Sequence, residues 1–295
     1  MGSSFQSRLI DLVIKLDSGT FDGHGDADTV RLSGLRCEVE ISEAGLYTQS
    51  GAHVRVWGVS SDTMDRLTLL SWHAPTLGYN VLEIFTGTNE ADMSLIFSGN
   101  IFSAMPNFQG APDVAFEMEA QCGLVKQLAT DQPLTFGGAN SVASIMGVLA
   151  KGLGSTLENN NVTGTLTDTY LSGTLLDKVN TVAQMAAIDY YYDEAHKVLA
   201  ICPRGQPRNA DAILLSAQSG LVGRPQITKQ GVDFTVLFNP AIVRGHPLQV
   251  QSGRPNVNGL WYAYAMNHRL HSQVPGGPWF THISASRAQN VVRST

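Results

Sequence analysis

Carboxylates in alternation are the first residues of this chain whose types and spacing could do chemistry. Glu38 and Glu40, and again Glu117 and Glu119, stand two apart in segments with strand-like alternation, which puts each pair on one face at roughly 6.6–7 Å. That distance overlaps the lower end of the range of about 6.5–9.5 Å used by inverting glycosidases. Carboxylates at alternate positions more often mark the wet face of a half-buried strand, and that use is preferred. Asp22-Gly-His-Gly-Asp-Ala-Asp28 is acidic and glycine-rich, but it lacks the evenly spaced oxygen ligands and closing Glu of a calcium loop. It reads as a turn. The Gly23-His24-Gly25 segment has neither the further glycine nor the following helix of a dinucleotide fingerprint. His268 and His271 form an HxxH, yet residues three apart on a strand point to opposite faces and cannot share an ion. Asn161-Val-Thr163 matches a glycosylation sequon, which matters only on an exported chain. Tyr190, Tyr191 and Tyr192, with Trp261, Tyr262 and Tyr264, could stack on a sugar, but core and subunit packing is the preferred use. The sequence has no GxSxG, HExxH or Walker loop, and no cysteine with a local catalytic signature. It therefore designates no catalytic, cofactor-binding or metal-ligating residue, calls for no cofactor, and points away from an enzyme.

The elements that hold these residues are mostly strands. Ile10, Leu12, Ile14 and Leu16 alternate with polar or opposite-facing neighbours, as do Leu35, Cys37, Val39 and Ile41, and Val114, Phe116 and Met118. Further strands are expected at Val54–Val59, Val81–Thr86 and Ser94–Ser103. A helical turn or two is expected over Ser61–Leu70, capped by Ser61 or Asp62, with Met64, Leu67 and Leu70 on one face. From about residue 126 the period changes. Val142, Ile145, Met146, Leu149 and Leu153 fall at helical offsets behind Asn140 or Ser141 as cap, with Gly154 as stop. Leu175, Leu176, Val179, Val182, Ala183 and Ala186 make a second stripe capped by Ser172 or Thr174, and a hairpin turning at Asp193–His196 follows. Gly154–Thr169 reads as loop or short strands. Beyond about residue 206, strands return: Val232–Phe238, Leu248–Ser252, Trp261–Met266 and, after the turn Pro275-Gly-Gly-Pro278, Trp279–Ser284. The expected fold is mainly β with an α+β part: β-barrel domains at 1–125 and 206–295 flanking a small α+β domain at 126–205. No repeat is visible in the letters, although the two β parts could be structurally related.

Composition narrows the function classes. The chain has 295 residues, 43% hydrophobic and 15% charged, with 29 glycines and 12 prolines, which fits a turn-rich globular protein with a sizeable core. Its net charge of −6 is unevenly spread. Residues 1–203 hold 10 Lys+Arg against 23 Asp+Glu, whereas residues 204–295 hold 9 against 2. Such a split favours docking of one molecule's basic part on an acidic surface of a neighbour. Nucleic-acid recognition is disfavoured because Arg204, Arg208, Arg224, Arg244, Arg254 and Arg269 are dispersed over separate strands and turns. Cys37, Cys122 and Cys202 are scattered and odd in number, as expected for reduced thiols in a cytosol-made protein. The N-terminus lacks the apolar core of a signal peptide, and the uncharged window between Asp131 and Lys151 is broken by Pro133, Gly137, Gly138 and Asn140, so no membrane insertion is expected.

The run Ser219–Ser252 and the following Asn258–Thr281 carry a resemblance. Leu221-Val-Gly-Arg-Pro225, Gly231-Val-Asp-Phe234, Leu237-Phe-Asn-Pro240 and Pro275-Gly-Gly-Pro-Trp279 are similar to the baseplate hub proteins of contractile-tailed bacteriophages, the family that includes late control D-like tail hubs. The resemblance is strong over about a quarter of the chain, and the order of the three parts agrees elsewhere. It implies a structural virion protein of the tail baseplate, assembled in the host cytoplasm, with two tube-like β-barrels per chain. It further implies a homotrimer forming a pseudo-sixfold ring between tail tube, or tube adaptor, and central spike, alongside other baseplate proteins, with DNA passing through the lumen without specific binding. The paired glutamates and aromatic strands keep one alternative open, a tail-associated protein that binds or degrades cell wall.

Overall fold

The computed structural model describes residues 8–21, 28–43, 48–68 and 79–288. Its first segment holds β1 (Leu9–Lys15), β2 (Thr29–Leu32), β3 (Cys37–Glu43), β4 (Gly51–Trp57), helix α1 (61–68), β5 (Val81–Gly87), β6 (Met93–Asn107) and β7 (Ala115–Gln121). Alternation sets the faces: Cys37, Val39 and Ile41 of β3 are buried, while Glu38, Glu40 and Ser42 look outward. A one-residue slip would expose all three apolar side chains, each worth about 1.5–3 kcal/mol for the larger ones, so register is firmly held. Helix α1 begins at residue 61, where the sequence predicts, but its cap lies one residue earlier than expected. Ser60, not Ser61 or Asp62, is the cap, its hydroxyl accepting from the Thr63 amide at 3.2 Å. Leu70 lies outside the described residues, but Leu67 is fully buried.

The middle segment comprises α2 (Leu124–Leu128), β8 (Leu134–Ser141), α3 (Val142–Gly152), β9 (Thr156–Asn159), β10 (Thr165–Leu171), α4 (Leu175–Met185), β11 (Ile188–Asp193) and β12 (Val198–Pro203). Ser141 caps α3 by accepting from the Ser144 amide. Thr174 and Asp177 form a reciprocal capping box on α4. The apolar stripes of both helices pack together over the three-stranded sheet β11-β12-β9, and β8 pairs with β10 alongside. Lys178 is fully buried on α4, with Nζ 2.6 Å from Asp131 Oδ2.

The last segment, β13 (Ile213–Leu215), β14 (Leu221–Ile227), β15 (Val232–Leu237), β16 (Pro247–Val250), β17 (Gly259–Ser272) and β18 (Trp279–Ser286), joins the first in one 13-stranded sheet. Its path is β14-β15-β18-β17-β3-β4-β7-β6-β5-β1-β2, with β13 and β16 branching from β17. The β-rich expectation holds. The strand pairing, however, runs open along this path, and among the described residues no set of strands closes on itself into a barrel. No helix among them is long and apolar enough to cross a membrane.

The two β segments carry the same wiring. In the first, β3 pairs β4, β4 pairs β7, β7 pairs β6 and β6 pairs β5; in the last, β14 pairs β15, β15 pairs β18, β18 pairs β17 and β17 pairs β16. Even the irregularities match. β6 shifts register against β7 around Phe102, and β17 shifts against β18 around Tyr264. Aligning the ladders on these bulges superposes buried Val54 with Phe234, Met118 with Ile283, and Leu82 with Leu248. The internal relationship left open in the letters is therefore present in the pairing.

Candidate functional site

The outward face of the joined sheet collects the charged residues that sequence reading singled out. Along one row, His271 stands opposite Glu38, Glu38 opposite Arg55, and Arg55 opposite Glu117; along the next, Arg269, Glu40, His53 and Glu119 follow in the same way. Basic and acidic residues alternate across four strands, the arrangement that stabilises cross-strand neighbours. Arg55 Nε lies 3.1 Å from Glu117 Oε1, and Asn107 donates to the same oxygen at 3.0 Å. Glu40 accepts from Asn267 at 3.0 Å and from Arg269 at 3.4 Å. Arg36 reaches Glu38 at 3.3 Å while its guanidinium stacks 4.1 Å from the Trp57 ring centre. Glu38, Glu40 and Glu117 are thus engaged as paired surface carboxylates, the use preferred above.

The other candidates fall into separate places. Residues 22–27 of the acidic turn lie outside the described residues; Asp28 sits 3.9 Å from Lys15. His268 and His271 point apart as expected. His268 is buried, its Nδ1 2.8 Å from the Thr281 hydroxyl, its ring edge-on to Phe238 and its Nε2 3.9 Å from Glu43; His271 faces Glu38 on the outer side at 4.0 Å. Tyr190 and Tyr192 are buried in the core beneath the middle helices, Tyr191 in a small cluster with Ala200 and Cys202, and Trp261 and Tyr262 are buried as well. These five rings are buried, whereas Tyr264 is half-buried and donates its hydroxyl to Gln230 Oε1 at 3.0 Å. All three cysteines are free and buried, and burial pushes each thiol up from its ordinary value. Arg208, Arg244 and Arg269 are engaged with Glu158, Glu43 and Glu40, consistent with dispersal rather than a phosphate-binding block.

Sequence reading missed a junction where all three segments meet. Arg244, nearly buried, places Nε 3.0 Å from Glu43 Oε2 and donates to Ser50 Oγ and to the Tyr192 carbonyl, both at 3.2 Å. Its own carbonyl accepts from Arg208 at 3.4 Å, and Arg208 in turn grips Glu158. Nearby, Glu194 accepts from Lys126 at 2.8 Å and from the Gly123 amide at 2.6 Å, clamping the chain where it leaves β7. The only signal in the letters was an arginine beside a glycine turn.

The junction has a defined pH response. Burial holds His268 below the ordinary value of 6.5, against the smaller opposing pull of Glu43. Above that value neither the folded nor the unfolded chain protonates it, and it contributes nothing to pH dependence. Below it the unfolded chain takes up a proton that the fold resists, so stability falls as pH drops from about 6.5 towards the folded value. His246 and His271 are shifted the same way, also by burial. His196, raised by its bond to Asp193, has the opposite sign: its stabilisation is lost as pH rises through its folded value. In His268→Gln, denaturation midpoints measured from pH 7 to 5 are expected to fall less steeply than in the parent; an unchanged slope would show that the buried ring does not titrate with folding.

The sheet thus spans two like-wired halves, with salt-bridged polar residues on one face and a core on the other. The baseplate hub gp41 family model matches residues 9–280, and the chain belongs to that family. A search of curated proteins finds no match. Among solved structures, the fold is similar to a tail protein from Neisseria meningitidis MC58 (TM-score 0.60, 9% identity, 94% of this chain and 96% of that one). It is similar to the 43 kDa tail protein of prophage MuSo2 from Shewanella oneidensis (0.60, 9%, 94% and 97%). It also matches the E. coli c3393 protein, described as a type VI secretion component with structural similarity to T4 tail proteins gp27 and gp5 (0.55, 9%, 86% and 74%).

Proposed function

We propose that this chain is the structural hub of a contractile-tail baseplate: three copies form a pseudo-sixfold ring that joins the tail tube, or a tube adaptor, to the central spike. The observation that carries the reading is the duplicated strand wiring, because two equivalent wall units per chain convert threefold symmetry into an approximate sixfold one. Each unit, at 1–125 and 206–295, contributes a tube-like piece of wall, and the 126–205 domain is clamped to their junction by Arg244 and Glu194. The outward sheet face would line the lumen. Its alternating signs offer no continuous positive track, so DNA would pass without being held.

The reading places the chain in the virion, in contact with spike and other baseplate proteins, and assigns it no catalysis. Light scattering should give a trimer mass, alone or when the spike is added. A chain that stays monomeric in both conditions contradicts the reading. Purified protein should leave the turbidity of a peptidoglycan suspension unchanged; clearing that disappears in Glu38→Gln or Glu117→Gln would instead support a cell-wall hydrolase.

A further inference from the structure

We infer that the ring closes by joining the free flank of distal β6 in one copy to β14 of the next, in the register that β17 and β3 already use within the chain. The inference rests on the trimeric hub reading and names the surfaces it requires. Among the described residues, distal β6, beyond Asn100, pairs only with β7, and β14 pairs only with β15. These are the two flanks left over when the eight strands from β14 to β6 are laid side by side, at opposite ends of one sheet.

The internal seam serves as the template. β17 is the counterpart of β6 and β3 the counterpart of β14, and β17 pairs antiparallel with β3 from Met266↔Glu43 to Ser272↔Cys37. Aligned on the bulges, Ile227 occupies the position of Ile41, and Phe108 follows directly after β6, in a 3-10 turn (Phe108–Gly110) where β17 instead runs on to Leu270. Ile41 is 0% exposed at the internal seam, whereas Ile227 is 60% exposed, and Phe108 at the end of β6 is 66% exposed. The chain thus carries large exposed apolar residues at, or directly beside, the positions that a neighbour would cover. Met105, also exposed, occupies the position of Asn267.

Charge and topology select a second copy as the occupant. The β14 flank and its turn expose Arg224 and Lys229, whereas at the β6 end of the sheet the β6–β7 connection exposes Asp113 and β7, behind β6, exposes Glu119, following the acidic and basic split of the whole chain. The contact is head-to-tail, the kind that generates rings when its rotation closes. Each flank contains a proline, Pro106 and Pro225, a common guard against indiscriminate strand addition. Side-chain packing therefore carries much of the seam, and only matched flanks join.

The template puts Met105 opposite Thr228 of the next copy, as Asn267 is opposite Ser42. A chain carrying both Met105→Cys and Thr228→Cys, oxidised and run without reductant, should give covalently linked dimers and trimers. Either single variant should not, nor should Met105→Cys with Val222→Cys, which is four positions out of register. Ile227→Asp should weaken self-association at least about tenfold per seam, since one buried apolar side chain is worth more than 1.4 kcal/mol, while leaving the monomer's melting midpoint unchanged. A trimeric ring with no crosslink in the matched pair would overturn this seam and leave the hub reading intact. Absence of any self-association, with or without spike, would overturn both.

Discussion

Replacing Arg244 by methionine should destabilise the folded chain by about 3–5 kcal/mol, the cost of breaking a buried ion pair from one side. The Arg244 side chain is 8% exposed and Glu43 17% exposed, so removing the guanidinium strands a carboxylate with little water to replace its partner. It also deprives Ser50 Oγ and the Tyr192 carbonyl of their donor, and those groups belong to the first and middle segments. Methionine keeps most of the volume, so the loss reports the charge and its hydrogen bonds rather than a cavity. Adding Glu43→Leu should recover part of the loss, because replacing a whole buried pair by apolar groups is far less costly than removing half of it. Urea midpoints of the single and double variants measure this. A loss under about 1 kcal/mol in Arg244→Met would show that the segments are locked together by something else.

The second large effect is expected at Gly231, in the turn between β14 and β15. Its φ of +152° is a conformation that residues with a side chain rarely adopt, and a Cβ there would sit 2.0 Å from the Ala285 carbonyl oxygen. Backbone strain alone costs about 1–3 kcal/mol at such a position, and relief requires the β14–β15 hairpin to move off β18. Gly231→Ala should therefore lower the melting midpoint and, because β14 is the proposed docking flank, weaken assembly beyond what lost stability accounts for. Gly276→Ala is the comparison: φ is +70°, but open space surrounds the missing Cβ, so only local strain is expected. Equal effects at the two glycines would argue against close packing of the hairpin on β18.

Much of the sheet was legible because strand alternation survives in half-buried strands: Val39 and Ile41 against Glu38 and Glu40, or Phe234 and Val236 against Asp233 and Thr235. Helix caps were legible for α3 and α4 because Ser141 and Thr174 sit where free amides need an acceptor. The far half of β17 was not. Asn267, Arg269 and His271 look like the end of a strand, yet each faces a residue of β3 across an intersegment ladder that no local pattern announces. Lys178 was unreadable for a related reason. A lysine on a helix belongs in water unless something distant awaits it, here Asp131 and the Gln132 carbonyl. The duplicated wiring stayed hidden because equivalent core positions conserve burial and pairing but not residue type, as Val54 with Phe234 or Met118 with Ile283 show. The charged face was visible residue by residue; that its carboxylates are already matched by Arg55, Arg269 and Asn107 required knowing which strands are neighbours.

The central claim, that like-wired halves of sibling chains build a hollow ring, is tested most directly by averaged end-on electron images of the purified protein with its spike. The account predicts an annulus with a central lumen, sixfold in appearance when blurred and threefold once the clamped middle domains are distinguished. Solid particles, or a lone chain on the spike with no lumen, would contradict it.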